Sequence, residues 1–384
     1  MSFQQGLSGL NAASKTLEVI GNNVANASTV GFKQSQAQFA DVYATSLSGG
    51  GAGQAGIGVK VAQIAQQFTQ GNVSSSNNPL DIAIKGRGFF RMSDNGSITY
   101  ARNGQFQLDK TGYIINAAGH RLTGYVADAQ GVLQTGAPTD LVISSADAAP
   151  QVSTEVNTVL NLDSREVVPT PLPTFDPADP ATYTATTSIN VFDTLGNSHL
   201  LQTFYIKTAP NTWNLQATVD GAAATFAAPS NLVFDTSGAI DTTLTTTPIT
   251  VTSPALTTGA ATPLVLDLSY TGTTQFGSIF GINAQNQDGF ASGHLSGFSV
   301  ADDGKIVGRY TNGQSKNLGQ VVLGDFTNPN GLQPLGDNEW AETSMSGVAL
   351  VGVAGSGSLG GFQSSAVEES NVDLTAELVN MITA

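Results

Sequence analysis

The sequence predicts a mainly β protein with two or more nested β-rich domains and an α-helix at each end. Three observations predict it. Apolar residues recur at helical spacing only near the two ends of the chain. Between the ends, short apolar runs alternate with turn sequences rich in Gly, Asn and Asp. Glycine accounts for 43 of 384 residues and charged residues for only 11%, which is less than half the share usual in globular proteins.

The charge and composition exclude several classes of partner and site. The formal net charge is −15 and only 14 residues are Lys or Arg, so neither nucleic acid nor an anionic membrane is expected to bind. The absence of cysteine excludes disulfides and thiolate metal sites. There is no run of 18 apolar residues, and residues 1–10 lack the basic and apolar regions of a cleaved signal peptide. We therefore expect no membrane insertion, and surfaces that contact other protein.

Residues 1–30 are predicted to form an N-terminal assembly helix. Their apolar stripe has the alternating 4-3 spacing of a coiled-coil seam, with interruptions at Ser14 and Gly21. Ser2 and Gln5 have capping-box spacing at its start. The stripe consists of Phe3, Leu7, Leu10, Leu17 and Val24.

Residues 364–384 are predicted to form a C-terminal assembly helix with the same spacing. Ser365 and Glu368 have capping-box spacing, and Asn371 interrupts the stripe. A helix over 367–382 would be short, about 24 Å at 1.5 Å per residue. The stripe consists of Val367, Leu374, Leu378 and Met381.

Two interpretations of the terminal stripes remain open. The helices could simply pack on the chain's own core. Alternatively, they could pair with each other and with neighbouring copies of the chain. Because isolated helices of this kind are marginal in water, the second interpretation carries a hypothesis that both ends are disordered in the free monomer and helical in an assembly.

The sequence between the helices divides into three parts. Residues 31–70 are predicted to be a linker or extended segment, with a glycine-rich loop at 46–58. Residues 71–147 and 286–363 are predicted to form a discontinuous inner β domain, with hairpin turns at 94–97 and 302–304. Residues 148–285, which begin Pro-rich and contain only two basic residues, are predicted to form an inserted outer β domain with a hairpin turn at 195–197. This nesting would return the two termini to one place.

No catalytic, cofactor or metal site is predicted. His120, His199 and His294 lie far apart without a helically spaced carboxylate, so surface or turn positions are expected for them. The pair Asp302–Asp303 is explained by turn chemistry, and Glu368–Glu369 by the favourable first turn of a helix. No catalytic constellation assembles from these residues.

Three segments of the sequence resemble the bacterial flagellar rod and hook proteins. Residues 20–43, IGNNVANASTVGFKQSQAQFADVY, resemble the family's N-terminal signature, N-N-x-A-N-x-x-T-x-G-F-K. Residues 78–92 with 100–125 resemble its first β domain, and residues 366–382 resemble its C-terminal helix. The matching signature residues are Asn22, Asn23, Ala25, Asn26, Thr29, Gly31, Phe32 and Lys33.

The resemblance implies a function that composition alone does not. Within the family, the large insert at 148–285 is similar to that of hook proteins. The resemblance then implies a structural subunit without cofactor that self-assembles into a curved, flexible tube and transmits torque from rod to filament. It implies terminal helices lining the tube, export by the flagellar type III apparatus without a cleaved signal, and an extracellular place in the flagellum. The implied partners are copies of the chain and the distal rod, hook cap and hook–filament junction proteins. A shorter C-terminal helix than the family's would reduce the inner-tube contacts.

Three alternatives remain at this point. A distal rod subunit would share the terminal signatures. A secreted β-rich enzyme acting on cell-wall glycan would need a cleft with two carboxylates, one of raised pKa. A binding module in 148–285 would show clusters of exposed aromatic side chains.

Overall fold

The computed structural model describes residues 2–42, 58–170, 172 and 174–383. Helix α1 spans Ser2–Ala25 and helix α2 spans Leu374–Thr383, with β structure between them. The predicted class, mainly β with a helix at each end, is therefore confirmed. Among the described helices, none is long and apolar enough to cross a membrane. The predicted glycine-rich loop at 46–58 lies outside the described residues except for Gly58, which begins a strand.

The strands of the described residues are short and follow one another closely. Two 3-10 helices, Pro180–Thr182 and Pro329–Gly331, interrupt them. In chain order the strands are β1 (Ser35–Val42), β2 (Gly58–Gln66), β3 (Val73–Ser75), β4 (Ile82–Lys85), β5 (Phe89–Asp94), β6 (Ser97–Ala101), β7 (Gln107–Leu108), β8 (Ile114–Ile115), β9 (Arg121–Val126), β10 (Thr139–Asp140), β11 (Glu155–Asp163), β12 (Ala185–Phe192), β13 (Ser198–Ala209), β14 (Thr212–Val219), β15 (Ala222–Ala223), β16 (Thr225–Phe226), β17 (Asn231–Val233), β18 (Ile249–Thr252), β19 (Val265–Ser269), β20 (Thr274–Phe276), β21 (Gly281–Gln287), β22 (Leu295–Val300), β23 (Lys305–Tyr310), β24 (Ser315–Asp325), β25 (Gln333–Gly336), β26 (Glu339–Ala341), β27 (Leu350–Val353), β28 (Gly361–Ser364) and β29 (Ala366–Glu368).

The chain forms two compact units. The first unit comprises Met1–Ser145, Leu295–Arg309 and Ser315–Ala384, and the second comprises Ala146–His294 and Tyr310–Gln314. Residues 286–294 thus lie in the second unit. The sequence-based boundaries at 147/148 and 285/286 stay predictions.

The first unit is built on a large sheet of order β22-β23-β24-β9-β5-β6-β26-β25. Its core contains apolar residues that are almost fully buried, including Ile82, Phe90 and Val321. The turn predicted at 94–97 is confirmed, since β5 and β6 pair across it. Asn95 and Gly96 adopt positive φ there, at 49° and 97°, as two-residue hairpin turns require.

The segment predicted as a linker contains a β-hairpin. β1 and β2 pair antiparallel along their whole lengths, with a bulge between Gln38 and Phe39. Short two-stranded pairs, β28 with β4 and β29 with β3, then connect the C-terminal segment to the first β domain. The hairpin and these pairs bring residues from both ends of the chain to one region of the first unit.

The helix predicted from Val367 onward is wrong over its first residues. Ala366–Glu368 forms strand β29, which pairs with β3. Ser365 has a φ of 51°, which is not the extended conformation of an N-cap residue. Glu368 is 1% exposed, so it does not lie in the solvent-facing first turn of a helix. The local capping pattern was overridden by a tertiary ion pair, described below.

The second unit contains two sheets around their own apolar core. One sheet has the order β16-β18-β19-β11-β20, with β21 on β11, and the other has the order β12-β13-β14-β15, with β17 on β14. Their shared core includes Trp213, Tyr205 and Tyr270. The turn predicted at 195–197 is confirmed by the pairing of β12 with β13 and by the φ of 83° at Gly196.

Candidate functional site at the junction of the chain ends

Helix α1 has two halves that differ in their contacts. The helix contacts β1, β2 and α2, and in its last turns Val19 and Ile20 are 8% and 6% exposed. Its first half leaves large apolar side chains in solvent, with Phe3 81% and Leu10 69% exposed. The C-terminal part of α1 therefore buries apolar side chains, whereas its first half keeps the predicted apolar stripe exposed and contacts β2 through a polar group, Ser8 Oγ, which accepts from the Val59 N–H at 3.3 Å.

The Asn23 side chain joins the end of α1 to the start of β1. It is 1% exposed. Its Nδ2 donates to the backbone carbonyl of Ser35 at 2.9 Å, and its Oδ1 accepts from the Ser35 N–H at 2.9 Å. The amide thus imitates a neighbouring strand and satisfies both backbone groups of Ser35. This is a physical reason for an asparagine at this position of the signature.

A buried carboxylate on α2 receives side-chain amides from the N-terminal segment. Glu377 is 4% exposed. Gln34 Nε2 donates to its Oε1 at 2.5 Å, and Asn23 Nδ2 approaches its Oε2 at 3.5 Å. These residues line a cavity of about 460 Å³ between α1, β1 and α2. Because the carboxylate accepts from residues more than 340 positions earlier in the chain, it fixes α2 against the N-terminal segment.

Asn371 and Asp373 form the start of this contact on the C-terminal side. Asn371 Oδ1 accepts from the Gln34 N–H at 2.7 Å, and its Nδ2 donates to the Gln67 carbonyl at 2.7 Å. Asp373 Oδ1 accepts from the N–H groups of residues 375 and 376 at 2.9 and 3.1 Å, and it is the N-cap of α2. Asn371, which was predicted to interrupt the apolar stripe, therefore connects the two ends of the chain. The contact formed by Asn23, Gln34, Asn371 and Glu377 is called the junction from here on.

An ion cluster lies beneath the junction. Lys33 Nζ is 2.7 Å from Glu368 Oε1, and Arg102 Nε is 3.0 Å from Glu368 Oε2. All three side chains are nearly inaccessible, at 0%, 1% and 4% exposed. Burial, together with the charge of Arg102, lowers the pKa of Lys33, although Glu368 opposes the shift. The carboxylate thus joins three distant segments of the chain, and removal of one partner would leave a buried charge uncompensated.

Backbone contacts complete the ion cluster. The Gly31 N–H donates to the Glu368 carbonyl at 2.8 Å, and the Gly71 N–H donates to Glu368 Oε1 at 2.9 Å. Gly31 has a φ of 73°, and a Cβ there would lie 2.6 Å from the backbone nitrogen of Asn103. A side chain at position 31 is thus excluded by both conformation and space.

The structure separates the predicted site residues into three groups. Asn23 belongs to the junction, and Gly31 and Lys33 belong to the ion cluster beneath it. Asn26 and Thr29 cap the end of α1 locally, where Asn26 Nδ2 donates to the Asn22 carbonyl at 3.0 Å and Thr29 Oγ1 donates to Asn26 Oδ1 at 3.2 Å. The remaining residues are exposed or half-buried: Phe3, Leu7, Leu10, Leu17, Asn22, Val24, Ala25, Phe32, Val367, Leu374, Leu378 and Met381.

Sequence reasoning missed the partners of the signature. The sequence motifs assign no role to Arg102, Gln34 or Glu377, and the capping-box spacing predicts a helix cap for Glu368. The signal for Glu377 was a carboxylate among apolar residues on a short helix. No local pattern indicated Arg102, whose role depends on burial.

One of the three histidines, His199, does not lie where the sequence predicts. His199 is 5% exposed, so the expected surface or turn position is wrong for its side chain. His120 lies with Nδ1 2.9 Å from the Glu339 carboxylate, and His294 is exposed. Within the described parts of the chain, no group of three or more His, Cys, Asp or Glu residues could hold a metal ion.

Comparison with known families finds three profile matches along the chain. The profile described as "Flagella basal body rod protein" matches residues 3–33. The profile "Flagellar hook protein FlgE/F/G D1 domain" matches residues 83–155, and "Flagellar basal body protein FlaE D2 domain" matches residues 161–290. Asn23 and Lys33 thus lie in the segment matched by the rod profile, and Arg102 lies in the segment matched by the D1 profile.

Several whole-chain relatives carry the same description. The chain is 41% identical to the flagellar hook protein FlgE of Salmonella typhimurium over 391 residues, which cover all of this chain and 94% of that protein. It is 40% identical to the Escherichia coli protein of the same description, again with 94% of that protein covered, and 32% identical to the Borreliella burgdorferi one, with 99% and 93% covered. The crystal structure of Helicobacter pylori flagellar hook protein FlgE2 matches 77% of this chain and all of that chain, with a TM-score of 0.58 and 14% identity, which supports the fold. The chain belongs to the flagellar hook protein FlgE family.

Proposed function

We propose that this structural subunit of the flagellar hook self-assembles through the apolar side chains that α1 and α2 leave in solvent. The observation that carries the proposal is the contrast within each helix. Glu377 and Ile20 are buried by the chain itself, whereas Phe3 and Ile382 are 81% and 86% exposed. Copies of the same helices are the partners that such rows fit best.

The exposed rows supply enough apolar surface to drive association. Burial of one leucine-sized side chain contributes about 1.5–3 kcal/mol, and each copy offers several. Because the ends are joined at the junction, the two helices present their rows from one fixed base. The exposed residues are Phe3, Leu7, Leu10, Leu17, Leu374, Leu378, Val379 and Ile382.

The finer assignments of place and partner form part of the same proposal. The polymer is a curved, flexible tube outside the cell, and its ends contact distal rod, hook cap and hook–filament junction proteins. The chain reaches this place through the flagellar type III export apparatus without a cleaved signal. The family membership and the rod-type match over residues 3–33 support these assignments.

A matched pair of substitutions tests the role of the apolar rows. Leu10→Gln removes an exposed apolar side chain from α1. Leu244→Gln removes one of similar exposure from the second unit, since Leu10 is 69% and Leu244 is 66% exposed. We expect Leu10→Gln to raise the critical concentration for polymerisation about 10- to 150-fold, since 1.4 kcal/mol corresponds to a factor of ten. Leu244→Gln should leave it within about twofold.

Sedimentation of polymer and negative-stain microscopy across a concentration series provide the measurement. Circular dichroism of the monomers establishes that both variants fold. Wild-type critical concentration for the Leu10→Gln protein would refute the proposal that this row forms the contact between copies.

A further inference from the structure

His199 lies between two aspartates from two different turns of the second unit. Its Nδ1 is 2.6 Å from Asp220 Oδ2, and its Nε2 is 3.2 Å from Asp193 Oδ2. Asp193 is in the turn between β12 and β13, and Asp220 follows β14. The imidazole is 5% exposed and Asp193 is fully buried. Both ring nitrogens therefore face carboxylate oxygens at hydrogen-bond distance.

This geometry requires a particular protonation state. A neutral imidazole donates from one nitrogen and presents a lone pair at the other. Since a carboxylate only accepts, a neutral ring would oppose a lone pair to one of the two aspartates. The imidazolium donates to both. We infer that protonated His199 is a clamp that holds this end of the second unit closed, and that its deprotonation opens the turns joined by the clamp.

The clamp joins three segments. His199 reaches the segment after β14 through Asp220, and Asp193 reaches the other two. Asp193 Oδ1 accepts from the N–H groups of Leu195 and Asn197, each at 2.9 Å. Its Oδ2 also accepts from Thr258 Oγ1 at 2.8 Å, so the loop between β18 and β19 is included. The neighbouring Thr194 Oγ1 accepts from the N–H of residue 261 at 2.9 Å. Loss of the charge that faces Asp193 would thus affect residues 194–197, 220–222 and 258–261 together.

The charged groups facing the ring set the direction of the pH dependence. They are Asp193 and Asp220, and the third segment contributes the uncharged Thr258 hydroxyl. Burial alone would lower the pKa of His199, but the hydrogen bonds and charges of Asp220 and Asp193 outweigh it and raise that pKa above 6.5. Stabilisation by the clamp is therefore complete below the unfolded value of about 6.5 and is lost as pH rises through the folded value.

The aspartates limit the clamp on the acid side. Burial of Asp193 is outweighed by hydrogen bonds from Asn197 and Thr258, so the pKa of Asp193 is lowered. The pKa of Asp220 is likewise lowered, because hydrogen bonds from His199 and Leu200 outweigh its burial. Their contribution is present above their unfolded pKa of about 3.9 and is lost as pH falls through the folded values. The clamp is closed between these two limits.

The first test is a nitrogen NMR titration of the histidine rings in the full-length monomer. His199→Gln identifies the His199 signals by their loss. We expect the midpoint of His199 to lie above the ordinary value of about 6.5, with protons on both ring nitrogens below that midpoint. Asp220→Asn removes one carboxylate and should lower the midpoint. A His199 midpoint at or below about 6.5 in the wild-type protein would overturn the inference.

The second test is amide hydrogen exchange at the three joined segments. Between about pH 6.5 and the folded pKa of His199, their opening constant should rise about tenfold per pH unit, then level off. Amides of β24 in the first unit serve as the reference for the intrinsic pH dependence of the exchange rate, which is subtracted. An opening constant that is independent of pH across this range in wild-type protein would also overturn the inference, whether or not the variants fold.

Discussion

The buried junction and the exposed rows on the same two helices differ in their polar side chains. Beside the apolar Val19 and Ile20, the junction buries asparagine and glutamate groups, Asn23 and Glu377, whereas the side chains in solvent include the apolar Phe3, Leu10 and Ile382. In most globular proteins this arrangement is reversed. The difference indicates that hydrogen bonds set the position of the chain ends within one copy. Under the proposed function, the exposed apolar area is what other copies would contact.

The largest effect should come from the ion cluster beneath the junction. Glu368→Gln leaves Lys33 and Arg102 as buried cations without a counter-charge. We expect a loss of about 3–5 kcal/mol in the free energy of unfolding of the first unit. The measurement is urea unfolding followed by the fluorescence of Trp340, which belongs to that unit, in a Trp213→Phe background.

The control for the ion cluster is a surface pair on α1. Lys15 and Glu18 are 2.7 Å apart with side chains 36% and 68% exposed, and Glu18→Gln should change stability by no more than about 0.5 kcal/mol. Equal effects of Glu18→Gln and Glu368→Gln would show that the buried cluster does not hold the chain ends.

An intermediate effect should separate the two halves of α1. Ile20→Ala removes a buried side chain and should cost about 2–5 kcal/mol in the free energy of opening of the junction. Leu10→Ala removes an exposed one and should change it by less than about 0.5 kcal/mol in the monomer. Amide exchange of residues 16–25 in dilute monomer measures both. If neither substitution changes the exchange, α1 is disordered in the free monomer, as the hypothesis from the stripes states.

The helical ends and the hairpin turns could be predicted because their causes are local. The turn at Asn95-Gly96 depends on two residues that tolerate positive φ, and the stripe of α1 depends on spacing. The ion pair of Lys33 and Glu368 joins residues 335 positions apart, and no spacing rule connects them. The S-x-x-E pattern at Ser365 even pointed to a helix cap. Only the paired strands β3 and β29 show why that carboxylate is buried.

The signature residues were found by resemblance, and their physical roles required the structure. Asn23 and Asn371 both use an amide to satisfy backbone groups at the base of the β1–β2 hairpin, at the first residue of β1 for Asn23 and just outside the two strands for Asn371. In the sequence, Asn371 was only a polar interruption of an apolar stripe. A side-chain amide offers one acceptor oxygen and one donor NH₂ group, so it can pair with a backbone N–H and a backbone carbonyl at the same time. Periodicity alone does not contain this information.

The smallest effect should come from the cap of α2, where the polar junction passes into the exposed row. Asp373→Ala removes the acceptor for the N–H groups of residues 375 and 376, which costs about 1 kcal/mol. The opening constant of α2 should then rise about fivefold, measured by amide exchange of residues 377–383. Asp373→Asn retains an N-cap oxygen and should stay within about twofold of wild type. An increase as large as that for Ile20→Ala would contradict this expectation. It would mean that the N-cap of α2, and not the contact of Glu377 with the N-terminal segment, holds the C-terminal helix in place.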